Sequence, residues 1–160
     1  EFFIGIVLCL ECFTDVDAIA GVATGAIAQG ALVADTLGLP YVYVRSTPKN
    51  HGLENLIEGN LLPGQKVVVI EDLISTGGSS LKAVEAIRNA GCEVVGMAAI
   101  FTYGFPVAEE AFKNANVTLC TLSNYNSMLE AALVSGYIKD GDIETLKEWR
   151  KDPANWYPNK

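Results

Sequence analysis

The segment Lys66–Ile70 (KVVVI) sets four apolar residues in a row, Val67, Val68, Val69 and Ile70, with no polar residue between them. A strand with one face in water alternates apolar and polar side chains. A strand that is apolar at every position has to be covered on both faces, as in a parallel sheet. Glu93–Phe101 (EVVGMAAIF) and Tyr41–Val44 (YVYV) read the same way, and Asp17–Val22 and Val117–Leu122 are shorter strands of the same kind. Helical stretches separate them. Residues 25–38 (GAIAQGALVADTLG) are alanine-rich and end on Gly38, a residue suited to closing a helix. Ser79–Asn89 and Val107–Asn114 are further helices, and two more are expected near Tyr125–Ser135 and Asp142–Lys151. Residues 45–65 read as a long polar segment rich in Pro, Gly and Asn. Apolar strands alternating with helices predict an α/β fold: a doubly wound, mainly parallel sheet with helices on both faces.

Composition narrows what such a fold does. The chain has 160 residues, half of them hydrophobic, which suits one domain spanning 1–160. A formal net charge of −8 gives no basic face, so no nucleic-acid partner is expected. The run FFIGIVLCL is shorter than a bilayer requires and has neither a basic leader nor a small-residue cleavage site, so no membrane segment or signal peptide is expected. Cys9 and Cys12 form one CxxC spacing without a second pair, and Cys92 and Cys120 sit in apolar strand-like contexts. These read as free thiols in a reducing, cytoplasmic setting.

In doubly wound sheets, ligands bind at the carboxyl ends of the strands. Glu71 and Asp72 stand at the end of the 66–71 strand, Arg45 at the end of the 41–44 strand, and Ala23-Thr24-Gly25 after the first. The sequence Ser75-Thr76-Gly77-Gly78-Ser79-Ser80 then leads into a helix. Its glycines let successive N–H groups turn toward one anion, its hydroxyls add donors, and the helix adds the positive end of its dipole. Neither GxxxxGK nor GxGxxG is present, so this is not a Walker loop or a dinucleotide fingerprint. An ordinary glycine-rich strand-to-helix turn would look similar, and the acids separate the two readings. Carboxylates repel phosphate and only accept hydrogen bonds, so they must face sugar hydroxyls or a bound Mg²⁺. A phosphorylated sugar satisfies both halves of the pattern. Arg45, Lys49 and His51 cluster in RSTPKNHG within an otherwise acidic chain. Three cations on one loop suit a second anion such as pyrophosphate; the alternative is a solvated basic loop.

VVVIEDLISTGGSS resembles the phosphoribosyl-diphosphate (PRPP) motif of type I phosphoribosyltransferases. GVATGAIAQGALVADTLGLPYVYVR, KNHGLENLIEGN, FTYGFP, TLSNYNSML and WRKDPANW are similar to the orotate phosphoribosyltransferase family, from about Asp17 to the C-terminus. The resemblance implies the type I phosphoribosyltransferase fold, with an N-terminal hood expected to be partly missing. It implies transfer of the 5-phosphoribosyl group from PRPP to orotate, with Mg²⁺ held mainly through the substrate and no dedicated metal ligands. By position, Glu71 and Asp72 hold the ribose hydroxyls. Leu73, Ile74, Ser75, Thr76, Gly77, Gly78 and Ser79 wrap the 5′-phosphate, and Ser75 touches orotate. Arg45, Lys49 and His51 bind PRPP, with Lys49, His51 and Asp72 in catalytic roles. The resemblance also implies a homodimer in which loop 45–60 reaches the partner's site. The chain departs from some members at Ser46 and Gly25, where they carry Lys, and near FTYGF, where they carry Arg. Two alternatives share the PRPP motif: transfer to a purine base, and a non-catalytic PRPP sensor. The sensor would need a DNA-binding extension with a basic face, which this chain does not show.

Overall fold

The computed structural model describes residues 13–47 and 56–156. Six strands form one sheet: β1 (Ala18–Val22), β2 (Tyr41–Val44), β3 (Ile57–Glu58), β4 (Lys66–Ile74), β5 (Glu93–Thr102) and β6 (Leu119–Asn124). Their spatial order is β3-β2-β1-β4-β5-β6, and every pairing is parallel except that of β3 with β2. The helices are α1 (Ile27–Leu37), α2 (Gly78–Asn89), α3 (Pro106–Asn114), α4 (Tyr125–Val134) and α5 (Asp140–Lys151), followed by a 3₁₀ turn at Pro153–Asn155.

The unbroken apolar strand is explained by what covers it. Val67 and Val69 point to one face, where they pack with Ala83, Val84 and Ile87 of α2 and Phe112 of α3. Val68 and Ile70 point to the other, against Val33 and Ala34 of α1 and against Phe13. All four β4 side chains are fully buried, and each stabilises the fold by about 2 kcal/mol relative to exposure. Helices on both faces of a mainly parallel sheet are what the apolar pattern predicts.

Three of the differences from the sequence reading have a clear physical cause. β4 runs on past Glu71 to Ile74, because β5 continues beside it and pairs Glu71 with Ala99, Leu73 with Phe101 and Ile74 with Thr102. Among the described residues, the acids therefore lie within a strand that is paired on one edge. The polar segment 45–65 contains β3, two residues that pair antiparallel with the end of β2; so short a strand has no periodicity to read. The last strand starts at Leu119 rather than Val117, whose amide instead donates to Phe112 O at the end of α3.

The site is located by the sheet order. β1 pairs with β4 only as far as Gly21 opposite Ile70. Beyond that point the chain leaves β1 toward β2 on one side and leaves β4 toward β5 on the other. The carboxyl ends of β1 and β4 therefore flank the crevice where the winding reverses.

Candidate active site

Glu71 and Asp72 leave the core at this crevice in different environments. Glu71 is 4% exposed. Its Oε2 accepts a hydrogen bond from Ser80 Oγ at 2.8 Å, and its Oε1 accepts one from the Asp72 backbone N–H at 3.0 Å. Burial, reinforced by the Asp72 side chain, pushes the Glu71 carboxyl up from 4.5 to about 7. Asp72 is half-buried, and its Oδ1 accepts from the Leu73 N–H at 2.8 Å. Its other oxygen lies against the loop after β1: a Cβ placed on Gly25 would fall 1.8 Å from Asp72 Oδ2. That loop is tied down at Ala23, whose N–H donates to Val44 O at 2.8 Å, and at Ala26, whose N–H donates to Val22 O. The Ala23–Thr24 peptide is cis. Glycine at position 25 is thus required by close approach, and it brings the loop up against one of the acids.

The hydroxyl- and glycine-rich loop turns directly into α2. Gly77 caps the helix in the left-handed region, with φ +81°, where a side chain would also meet the Phe112 ring at 2.8 Å. Gly78, Ser79 and Ser80 form the first turn, whose amides have no carbonyl partners within the helix. Ser75, Thr76, Gly78 and Ser79 are exposed at this positive helix end. Ile74 is different. Its side chain is fully buried in the core, so only its backbone is available to a ligand. The Leu73 side chain is 42% exposed.

Arg45 follows β2, and its Nη1 pairs with Glu58 Oε1 of β3 at 3.4 Å. Lys49 and His51 lie outside the described residues. A cavity of about 410 Å³ brings Arg45 and Ser46 together with Gly78, Ser79 and Lys82 of α2. Glu71 and Asp72 are not among the residues lining it. The sequence reading assigned no role to Lys82 and counted the Ser80 hydroxyl among the donors of the anion loop; that hydroxyl is instead buried and spent on Glu71. Lys82 stands three residues after Ser79 on the same helix, so it follows the phosphate-type loop by one turn; that spacing was the available signal. The pairing of Ser80 with Glu71 gave no such signal, because the two lie on different elements.

On the far side, the Tyr103 N–H donates to Ile74 O at 3.1 Å, which joins the end of β5 to the start of the same loop. Tyr103 stacks on Phe105 at 5.3 Å between ring centroids and meets Trp149 of α5 edge-on at 5.8 Å. Arg150 of α5 donates from Nε to Tyr103 O and from Nη2 to Gly104 O, both at 2.7 Å, and from Nη1 to Asn126 Oδ1 at 3.2 Å. The FTYGF segment has no Arg beside it in sequence, yet the fold supplies one from 46 residues away. Arg150→Ala should lower stability by about 2 kcal/mol, because two partly buried carbonyls lose charged donors. That corresponds to a drop of roughly 4–8 °C in thermal midpoint for a chain of this size. Arg150→Lys should recover little of it, since one ammonium does not reproduce the planar fork. Thermal unfolding of both variants checks this, and a midpoint unchanged in Arg150→Ala would contradict it.

Among the described residues, no group of three or more His, Cys, Asp or Glu side chains is placed to hold a metal. No helix among the described residues is long and apolar enough to cross a membrane.

Known proteins resemble this chain in sequence and in fold. The family described as phosphoribosyl transferase domain matches residues 9–128. Orotate phosphoribosyltransferase of Bacteroides thetaiotaomicron is 74% identical over 153 residues, covering 96% of this chain and 72% of the relative. The enzyme of the same name from Bacteroides fragilis is 73% identical over the same length, with the same coverage. The crystal structure of orotate phosphoribosyltransferase from Aeropyrum pernix superposes with a TM-score of 0.72 at 30% identity, over 85% of this chain and 76% of that one. With its sheet order, its acid pair and its glycine-capped helix end, the chain belongs to the phosphoribosyltransferase family, on the branch of the orotate phosphoribosyltransferases.

Proposed function

We propose that this protein transfers the 5-phosphoribosyl group of PRPP to orotate, giving orotidine 5′-phosphate and pyrophosphate, the reaction of de novo pyrimidine synthesis. One observation carries the reading: a single strand–loop–helix unit delivers two carboxylates and then, five residues after Asp72, a left-handed glycine that opens a helix end. Acceptors for sugar hydroxyls and donors for a phosphate are thereby held on one rigid piece of chain. The assay is the loss of orotate absorbance on adding PRPP and Mg²⁺, with pyrophosphate measured in parallel. Turnover of a purine base in place of orotate would overturn the assignment.

In this reading Glu71 and Asp72 accept hydrogen bonds from the ribose hydroxyls. The loop Leu73–Ser79 and the first-turn amides of α2 hold the 5′-phosphate, with Ser75 toward orotate. Breaking the C1′–pyrophosphate bond builds positive charge on the ribose ring, and the two carboxylates favour that charge. Arg45 and Lys49 offset the charge that grows on the leaving pyrophosphate, and we assign the proton it takes up to His51 or Lys49. Bound Mg²⁺, held mainly through the substrate, supplies further neutralisation at the pyrophosphate oxygens. We assign the reaction to the cytoplasm, in keeping with the buried thiol of Cys92, which is in no disulfide.

The proposal includes a homodimer in which loop 45–60 serves the neighbouring subunit's site. Mixing the two inactive variants Lys49→Ala and Asp72→Asn tests it. If the loop acts across a two-fold interface, each mixed dimer has one site with both lesions and one with neither. Random pairing makes about half the dimers mixed, so roughly a quarter of all sites regain activity. No recovery, with subunit exchange shown by mass, would mean that each loop serves its own subunit.

A further inference from the structure

Ser80 and Glu71 are the two buried polar residues among those described, and they bond to each other. Ser80 is 1% exposed and sits in the first turn of α2, one residue past the phosphate loop. An ionised carboxylate has about four lone-pair positions. Two on Glu71 are taken, one by Ser80 Oγ at 2.8 Å and one by the Asp72 N–H at 3.0 Å. The remaining positions are the ones available to a substrate hydroxyl. Among the described residues, little else favours the ionised carboxylate. The residue opposite on β5 is Ala99, and the charge that acts on Glu71 through the described residues is the like charge of Asp72.

We propose that Ser80 is a positioning residue for Glu71: its buried hydroxyl fixes the carboxylate's orientation, so that the free lone pairs of the carboxylate face the ribose. This rests on the reading above that Glu71 binds a ribose hydroxyl. The geometry also couples the two halves of the site. The hydroxyl that steadies the sugar-binding acid belongs to the helix whose first turn faces the phosphate, so a shift of α2 toward or away from the phosphate moves both. Burial already holds Glu71 near the point of protonation, at about 7, and the Ser80 bond opposes that upward push. Without the hydroxyl, the carboxyl takes up its proton at higher pH. A protonated acid carries a donor where the ionised one has only acceptors, and it accepts more weakly from the ribose.

The experiment is PRPP affinity with Mg²⁺, by titration calorimetry, across about pH 5.5 to 8.5 for wild type, Ser80→Ala, Ser80→Thr and Glu71→Gln. Titration of PRPP itself is common to all four and cancels in the comparison. Ser80→Ala should move the midpoint of the affinity profile up by about one pH unit and weaken binding about tenfold at pH 7, as expected for loss of a hydrogen bond to a charged group. Ser80→Thr, which keeps the hydroxyl, should restore the wild-type midpoint. Glu71→Gln should bind weakly, with the Glu71 step gone from its profile. If Ser80→Ala does not fold, Ser80→Cys carries the same test, with an intermediate shift expected from its weaker donor. An unmoved midpoint in the Ser80 variants, with Glu71→Gln still defective, overturns the role of Ser80 and leaves Glu71 as a ribose ligand. Normal PRPP binding by Glu71→Gln overturns the ribose reading itself, and the Ser80 proposal with it.

Discussion

Replacing Glu71 with Gln is expected to make the ligand-free protein more stable above neutral pH while lowering kcat/KM about a hundredfold. The loss of activity follows from the charge. A hydrogen bond from a ribose hydroxyl to a carboxylate contributes about 1.5–3 kcal/mol, and an amide returns only part of that and none of the favourable field on a cationic ring. The gain in stability follows from linkage. In the folded protein the Glu71 carboxyl is raised to about 7 from 4.5, so between those values the folded state binds more protons than the unfolded state. Stability from this group is therefore full below the unfolded value and is lost as pH rises through the folded one. Across that window the cost of ionising the buried acid is on the order of 2–3 kcal/mol. Gln has the same shape and no charge. Its Oε1 accepts from the Asp72 N–H and its Nε2 donates to Ser80 Oγ, so both protein contacts persist. Urea unfolding at about pH 8 should show the variant more stable by on the order of 2 kcal/mol, with the difference shrinking to near zero at about pH 5. A variant no more stable at the higher pH would mean that the buried acid carries no such cost.

Gly25→Ala is expected to separate activity from stability in another way. Gly25 is exposed and its φ is not in the left-handed region, so alanine is tolerated by the backbone. The new methyl would fall 1.8 Å from Asp72 Oδ2, and the Asp72 side chain has to turn away. Doing so gives up the bond from the Leu73 N–H and takes the carboxylate off its position for the ribose. Turnover should fall roughly tenfold to a hundredfold, the range typical when a positioned group is displaced by about an ångström. Stability should change by less than about 1 kcal/mol, as for an exposed loop position. The check is steady-state kinetics alongside thermal unfolding. Wild-type kinetics would show that Asp72 moves freely without consequence, and so is not held for catalysis by its contact with this loop.

The sequence by itself determined the layers and the composition of the site. Val67–Ile70 could only be a strand covered on both faces, because four consecutive apolar side chains point alternately up and down and neither set tolerates water. The acids, the glycine-rich turn and the following helix lie in one continuous segment from Glu71 to Asn89, so their chemistry was legible from local order. The tertiary structure decided which of these groups touch. β4 extends through Glu71 and Asp72 because β5 runs alongside, a pairing between segments about 28 residues apart in the chain. Glu71 is buried under a hydroxyl from the next helix. Asp72 rests against Gly25, whose need for glycine is visible only once two strand ends are side by side. Arg150 reaches Tyr103 and Gly104 from α5 although no Arg is near them in sequence. Periodicity and turn chemistry act over a few residues, and the sequence carries them openly. Close approach, shared protons and borrowed donors arise only after the chain has packed, because they depend on distances that no spacing along the chain encodes.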